Sequence, residues 1–203
     1  MRHSLAHIMA AAVQRIYPDA KFGVGPAIND GFYYDIDLGD NKISENNFGK
    51  IEKAMRRIIA ESQDFVRSEV PIEDAINWAK ENNQPYKLEL LNDLKNAGTT
   101  NAKILAEGDF ELGDGAETVS FYTNGNYKDL CRGPHLSNTE EVGACKLMRV
   151  AGAYWRGDEK NPQMQRLYGV AFETQEDLDD YLRKMEEAKK RDHRKLGKEL
   201  DLY

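Results

Sequence analysis

Two histidines one helical turn apart near the start of the chain, His3 and His7, are answered far downstream by Cys131 and His135 at the same four-residue spacing. Three of the four histidines and one of the two cysteines fall into this H-x-x-x-H … C-x-x-x-H set. Imidazole and thiol are the side chains best suited to bind a metal or move protons near neutral pH. A fold that brings the two pairs together makes a small polar site that a plain structural core would not need.

The chain has 203 residues, enough for one sizeable core or two small ones. No apolar run approaches the ~20 residues that span a bilayer, and no signal peptide is visible. Two cysteines in so long a chain do not make a disulfide scaffold, so a reducing cytoplasm is expected. The net charge of −7 argues against broad, non-specific nucleic-acid binding. Local contrast qualifies that figure. Acidic residues crowd Glu107 to Glu117 and Glu173 to Asp180, and basic residues dominate Arg183 to Lys198. Arg132, Lys146, Arg149, Arg156 and Arg166 punctuate the stretch after the first cysteine. These charges read either as solvated faces or as a weakly basic groove able to receive one end of a nucleic acid.

Apolar Leu5, Ile8, Met9, Val13 and Ile16 form a stripe that predicts a helix from His3 to about Ile16, with His3 and His7 on one face. Tyr17-Pro18-Asp19 should stop it. Strands are expected at Phe22–Pro26, Gly31–Asp37, Phe65–Val70, Thr118–Tyr122, Cys145–Val150 and Arg166–Phe172. Ser44 can cap a second helix with Ile51, Ala54, Met55, Ile58 and Ile59 on its buried side. Pro71 suits the first turn of a third, reaching about Asn83, and a short helix near Pro85 would carry Lys87. From Asn96 to Gly115 the composition leaves boundaries open. Thr174 with Asp177 opens a last, charged helix. Separated helices with antiparallel-looking strands predict the α+β class, an antiparallel sheet with packed helices.

Ser4, not Glu, follows His3, so the zinc-protease pattern is absent. Gly133-Pro134 forces a bend that presents Cys131 and His135 from a loop or helix start. Cys145 heads an apolar strand pattern and reads as core, and His193 sits among charges and reads as solvated. Two chemistries fit the set. A tetrahedral zinc could be held by His3, His7, Cys131 and His135, or the residues could form a metal-free acid–base site in which a histidine and a lysine orient water. Spacing leaves both open.

Six segments then stand in a recognisable order: His3-Ser-Leu-Ala-His7, Gly25–Asp35, Pro85-Tyr-Lys87, Asp129-Leu-Cys-Arg-Gly-Pro-His135, Lys146–Asp158 and Arg191–Tyr203. Together they resemble the editing region of bacterial-type threonyl-tRNA synthetases. The resemblance implies a class II synthetase-type editing domain over residues 1–173, with 118–173 as its C-x-x-x-H-bearing part and 174–203 as a charged linker helix toward a catalytic domain. It implies an excised domain whose Met1 is a cloning start, without the ligase motifs and therefore without productive use of ATP. The implied reaction is hydrolysis of seryl-tRNA(Thr) to serine and tRNA(Thr), sparing threonyl-tRNA. Rejecting a substrate that lacks one methyl yields only about 1–3 kcal/mol, so a second sieve is needed.

By resemblance the site comprises His3, His7, Tyr34, Lys87, Asp129, Cys131 and His135. His3 and Lys87 would orient or activate water and stabilise developing charge. Asp129 would anchor the serine amino group, His7 and His135 would hold the terminal ribose and adenine, and Cys131 would line the methyl-excluding wall. Tyr154, Trp155, Arg156 and Arg166 invite a stacking-and-phosphate role, against which Trp155 reads better as packing under the site. The basic run Lys189–Lys198 is the better tRNA-backbone candidate. Alanyl-tRNA editing proteins share the histidine–cysteine plan and hold zinc there. Gly-Pro before His135 and the threonyl-like flanks favour metal-free catalysis with no cofactor, and the lack of a long apolar run argues against a membrane partner. The resemblance implies the tRNA(Thr) acceptor end and the remaining synthetase domains as partners, and a monomer, because dimerisation in that family belongs largely to the catalytic domain. The alternatives are a zinc-dependent trans-editing hydrolase and a non-catalytic tRNA-binding module.

Overall fold

The computed structural model describes residues 1–97 and 117–190. Its first helix, α1 (Arg2–Ile16), is buried on every face from Ser4 to Val13. A helix with no solvent face must keep part of its surface small so that neighbours can close on it from several sides. Ala6, Ala10, Ala11 and Ala12 do this, while Leu5, Ile8, Met9 and Val13 fill the core. The alanine run is thus a packing requirement as well as a helix-forming one. At the end of α1, Tyr17 leaves helical geometry while its N–H still bonds the Val13 carbonyl.

β1 (Lys21–Phe22) and β2 (Ala27–Ile28) both pair with β3 (Gly31–Asp37). The strand expected over Phe22–Pro26 is therefore two short pieces. Between them the backbone keeps bonding to β3, through Gly23 N–H to Asp35 O and Asp35 N–H to Val24 O. It departs from regular pairing where Gly25 presses on the Tyr34 ring, so closely that a Cβ there would sit 2.2 Å from it. Ser44 and Asn47 form a capping box on a single 3-10 turn, which leads into α2 (Phe48–Ala60) with Ile51, Met55 and Ile58 buried.

β4 (Val66–Pro71) runs into α3 (Ile72–Glu81). Pro71 was expected inside the first helical turn. It is the last residue of β4 and the N-cap of α3, because pairing with the next strand continues through Pro71 opposite Thr118. α4 (Pro85–Ala97) is longer than the short helix expected, held down by Tyr86, Leu90, Leu91 and Leu94. Gln84 fastens its start to β1, accepting from Phe22 N–H at 2.9 Å and donating to the Ala20 carbonyl at 3.2 Å.

β5 (Thr118–Asn124) and β6 (Tyr127–Leu130) make a hairpin turned by Gly125 and Asn126, with Gly125 at φ +56° as the first position of such a two-residue turn requires. β6 escaped the sequence reading. Four residues carrying Lys128 and Asp129 in their middle show no apolar alternation. β7 (Ala144–Tyr154), β8 (Gln163–Phe172) and α5 (Gln175–Lys190) complete the fold, and Thr174 caps α5 through Asp177.

Among the described residues all strand pairings are antiparallel. One sheet runs β1-β3-β8-β7 with β2 also on β3, and the other runs β4-β5-β6. The protein is α+β. One core gathers α1, α2, β3 and the inner face of β8, and a second gathers α3, α4 and β5 with Trp155 and Met164. Among the described residues no helix is long and apolar enough to cross a membrane. His193 and most of the Asn96–Gly115 and Lys189–Lys198 stretches lie outside the described residues.

Ala10 is fully buried on α1. Ala10→Leu should cost about 1–3 kcal/mol of stability through overpacking. A urea-unfolding midpoint equal to the unsubstituted protein's would show that α1 has room the structure does not give it.

Candidate active site

α1 and the loop after β6 meet edge on. The first turns of α1 supply His3, Ser4 and His7, and the loop supplies Cys131 and His135. Cys131 Sγ lies 3.3 Å from His3 Nε2 and 3.3 Å from His135 Nε2. Gly133 N–H donates to the same sulfur at 3.3 Å. Gly133 has φ +78°, and a Cβ there would meet the Tyr122 hydroxyl at 2.4 Å, so the loop that aims this N–H demands glycine. His135 is held between rings, stacked on Phe65 with centroids 5.0 Å apart and 4.4 Å from Tyr122. The three imidazole centroids are mutually within 5.2 Å.

Directly beneath lies Asp129, whose carboxylate is 2% exposed as a residue. Lys87 Nζ from α4 lies 2.6 Å from Oδ1. On Oδ2 it accepts short hydrogen bonding from the Tyr34 hydroxyl of β3 and a 3.2 Å bond from the Tyr127 hydroxyl of β6. Lys87 also donates to the Tyr34 oxygen at 3.2 Å. Asp129 thereby ties β6 to β3 and α4, and its alternation with Tyr127 puts both on one side of the strand. An ion pair this deep survives only with further hydrogen bonds to its charged groups, and the two tyrosines supply them on Oδ2.

Burial dominates the titration of the groups around it. His3 is pushed below the ordinary histidine range chiefly by burial, with Asp129 opposing. His7 is pushed well below it by burial, then by His3 and Lys87. Burial and the neighbouring histidines lower His135 to about 2. All three rings are therefore neutral at pH 7. The 3.5 Å approach of His7 Nε2 to Asp129 Oδ2 is a contact between neutral imidazole and carboxylate, not an ion pair. Burial and Asp129 push the Cys131 thiol up to about 12, so it keeps its proton and is a poor nucleophile. Burial and Asp129 likewise hold Tyr34 and Tyr127 protonated.

The same side chains offer a metal-ligand set. One donor atom each from His3, His7, Cys131 and His135 lies within 4.8 Å of the others. Nitrogen and sulfur donors in this number suit zinc. The buried Nδ1 of His7 has no hydrogen-bond partner among the described residues.

The structure thus brings together all seven residues singled out in the sequence, namely His3, His7, Tyr34, Lys87, Asp129, Cys131 and His135. It adds Ser4 and Tyr127, which sequence reasoning missed. Ser4 is fully buried and contacts His135, and it stood in plain view between the two histidines. Tyr127 sits two residues before Asp129, which would have marked it had β6 been read as a strand. Of the four residues that invited a nucleic-acid role, three make contacts within the protein. Trp155 is buried in the second core with its indole N–H on Glu89, Arg156 pairs with Glu89 and Asp93, and Arg166 forks onto Asp35. Tyr154 is exposed.

A helix-and-sheet module with this site has counterparts in aminoacyl-tRNA synthetases. Residues 119–168, from β5 into β8, match the family described as the threonyl and alanyl tRNA synthetase second additional domain. That span contains Asp129, Cys131 and His135 but not α1. The chain is homologous along its whole length to a segment of threonine–tRNA ligases. It is 49% identical over 203 residues to the threonine–tRNA ligase of Clostridium acetobutylicum, covering 100% of this chain and 29% of that protein. It is 50% identical over 202 residues to that of Acetivibrio thermocellus, covering 100% and 29%. To that of Anoxybacillus flavithermus it is 51% identical over 203 residues, covering 100% and 28%. The chain therefore spans under a third of the length of these relatives.

Lys87→Met should destabilise the protein by about 3–5 kcal/mol, since it leaves the Asp129 carboxylate buried without its cation. Replacing both partners, Lys87→Met with Asp129→Leu, should cost clearly less than the two single losses combined. Urea unfolding of the four proteins checks this, and strict additivity would mean the pair is not coupled.

Proposed function

We propose that this chain hydrolyses the ester bond of seryl-tRNA bearing the threonine anticodon, releasing serine and tRNA(Thr) and sparing threonyl-tRNA. The observation that carries the reading is the union of a buried Lys87–Asp129 ion pair with three neutral imidazoles and a protonated thiol in one cluster. An activated ester needs a positioned water, a proton acceptor and a positive charge near the carbonyl oxygen. A neutral histidine, His3, takes the water proton and Lys87 faces the developing oxyanion. The proton then passes to the ribose oxygen as it leaves. Asp129 receives the serine ammonium group, and His7 and His135 bind the terminal ribose and adenine. Cys131 forms the wall that excludes the threonine methyl. Its high pKa argues against a covalent intermediate, which an activated ester does not require.

The partner in this reading is the acceptor end of tRNA(Thr), with the remaining domains of a synthetase whose own ligase activity uses ATP. The chain acts as a monomer in the cytoplasm, and residues 174–203 link it to those domains. We read the cluster as working without metal, since its hydrogen bonds close on one another from Ser4 to His3. A second reading rests on the partnerless Nδ1 of His7 within a four-donor set. Zinc bound by His3, His7, Cys131 and His135 would supply an acidified water.

Deacylation of seryl- and threonyl-tRNA(Thr) by the purified chain tests the reading. Loss of the seryl ester with the threonyl ester spared is expected, and Cys131→Ala should narrow that selectivity by opening the wall. Binding of tRNA with no hydrolysis of either ester would leave a non-catalytic binding module instead.

A further inference from the structure

β6 is the last strand of its sheet, so one of its edges has no partner strand. In an antiparallel pair every second residue exchanges hydrogen bonds with the residue opposite. The bond from Cys131 N–H to Ser120 O fixes which residues those are, and puts Tyr122–Asp129 and Asn124–Tyr127 in the bonded set. Lys128 falls outside that set, so its N–H and C=O point away from β5. Among the described residues neither group makes a backbone hydrogen bond.

A cavity of about 410 Å³ borders this edge, lined by Tyr127, Lys128 and Asp129 in succession. Successive strand residues point to opposite faces, so three in a row on one cavity place it along the edge and not over a face. Trp78 forms part of its wall, Lys87 is shared with the candidate active site, and no histidine lines it. The Lys128 ammonium lies over the Trp78 and Phe121 rings, 5.6 and 4.4 Å from their centroids, and pairs with no carboxylate among the described residues.

We propose that this slot binds the base of the cytidine that precedes the terminal adenosine of tRNA: cytosine N3 accepts from Lys128 N–H, and the 4-amino group donates to Lys128 C=O. The occupant must offer one acceptor beside one donor to a single residue. A peptide strand would need the outward groups of alternate residues, Lys128 and Leu130, and of these only Lys128 lines the cavity. Cytosine and adenine carry the required pair on adjacent atoms, and unpaired bases in RNA are read on this edge. Uracil carries donor and acceptor exchanged. An indole wall and an unpaired ammonium suit a base and its phosphate. The choice of cytosine rests on the deacylase reading, which gives the terminal ribose and adenine to His7 and His135. Tyr127 borders both places, with its ring 5.9 Å from that of His7 and its side on the cavity. The next nucleotide along is a cytidine at every tRNA 3′ end.

Titration of the 15N-labelled chain with the ribotrinucleotides CCA, CUA and CCU, read at the Lys128 amide, tests the slot without any hydrolysis. CCA and CCU should move that amide downfield, and CUA should bind there about 10-fold or more weakly. Lys128→Ala keeps the N–H and should keep the preference for CCA over CUA. Lys128→Pro removes an N–H that the ladder does not use, where an edge strand tolerates proline, and should abolish the preference. Should that variant fail to fold, the unsubstituted chain still decides. Equal shifts with CCA and CUA would show contact through phosphate alone. A response that follows the last base would put adenine there, and a silent Lys128 amide at millimolar CCA would mean that no base binds. Each of these overturns the proposal. The two readings fail separately: hydrolysis of seryl-tRNA with a silent Lys128 amide removes the slot alone, and a CCA-specific shift in a chain that hydrolyses neither ester removes the deacylase reading alone.

Discussion

The carboxylate of Asp129 sits where two cores meet, and the arrangement of the site follows from how that charge is kept in the interior. Lys87 reaches it from α4, whose start is fastened to β1 by Gln84, and Tyr34 reaches it from β3. Tyr127 completes the shell from the same strand as Asp129. Removing a charge from water costs several kcal/mol per ion unless close partners replace the solvent. Here the partners come from elements far apart in sequence, so satisfying one carboxylate closes β6 onto both cores. The loop that follows β6 then has to pass over the first turns of α1, and Cys131 and His135 meet His3 and His7.

Above that charged layer the chemistry is set by desolvation. Three imidazoles packed together would repel one another if protonated, and burial already disfavours their charged forms. The cluster therefore works as an array of neutral donors and acceptors over one buried ion pair. Neutral rings can be hydrogen-bonded in a fixed sense, and a thiol with its pKa pushed up to about 12 serves as a link in that array more readily than as an attacking group. This separation of roles, cation and anion beneath and neutral rings above, suits hydrolysis of an ester better than formation of a covalent adduct.

Much of the architecture could be read from pattern. The apolar stripe of α1, the aromatic run of β3 and the Thr174–Asp177 cap of α5 are local signals, and each marks its element. What local pattern could not carry was tertiary. β6 holds a lysine and an aspartate in a four-residue strand, and its identity comes from pairing with β5, not from its own alternation. Pro71 looked like a helix residue until the partner strand extended the sheet through it. The histidines and cysteine stood out by their chemistry. Ser4 did not, because a serine in a helix is ordinary until Leu136 and His135 are seen to converge on its oxygen. Arg156 and Arg166 show the reverse case, basic residues that suggested phosphate contacts and are engaged by Glu89, Asp93 and Asp35.

The central claim is that the cluster hydrolyses an ester through its own hydrogen-bonded groups. The most direct measurement is the single-turnover rate of seryl-tRNA(Thr) hydrolysis by protein stripped with a strong chelator, with residual metal quantified in the same sample. The account predicts an unchanged rate at far less than one metal ion per chain. A rate that falls with metal content and returns with one equivalent of zinc would contradict it, and would assign His3, His7, Cys131 and His135 to a metal centre.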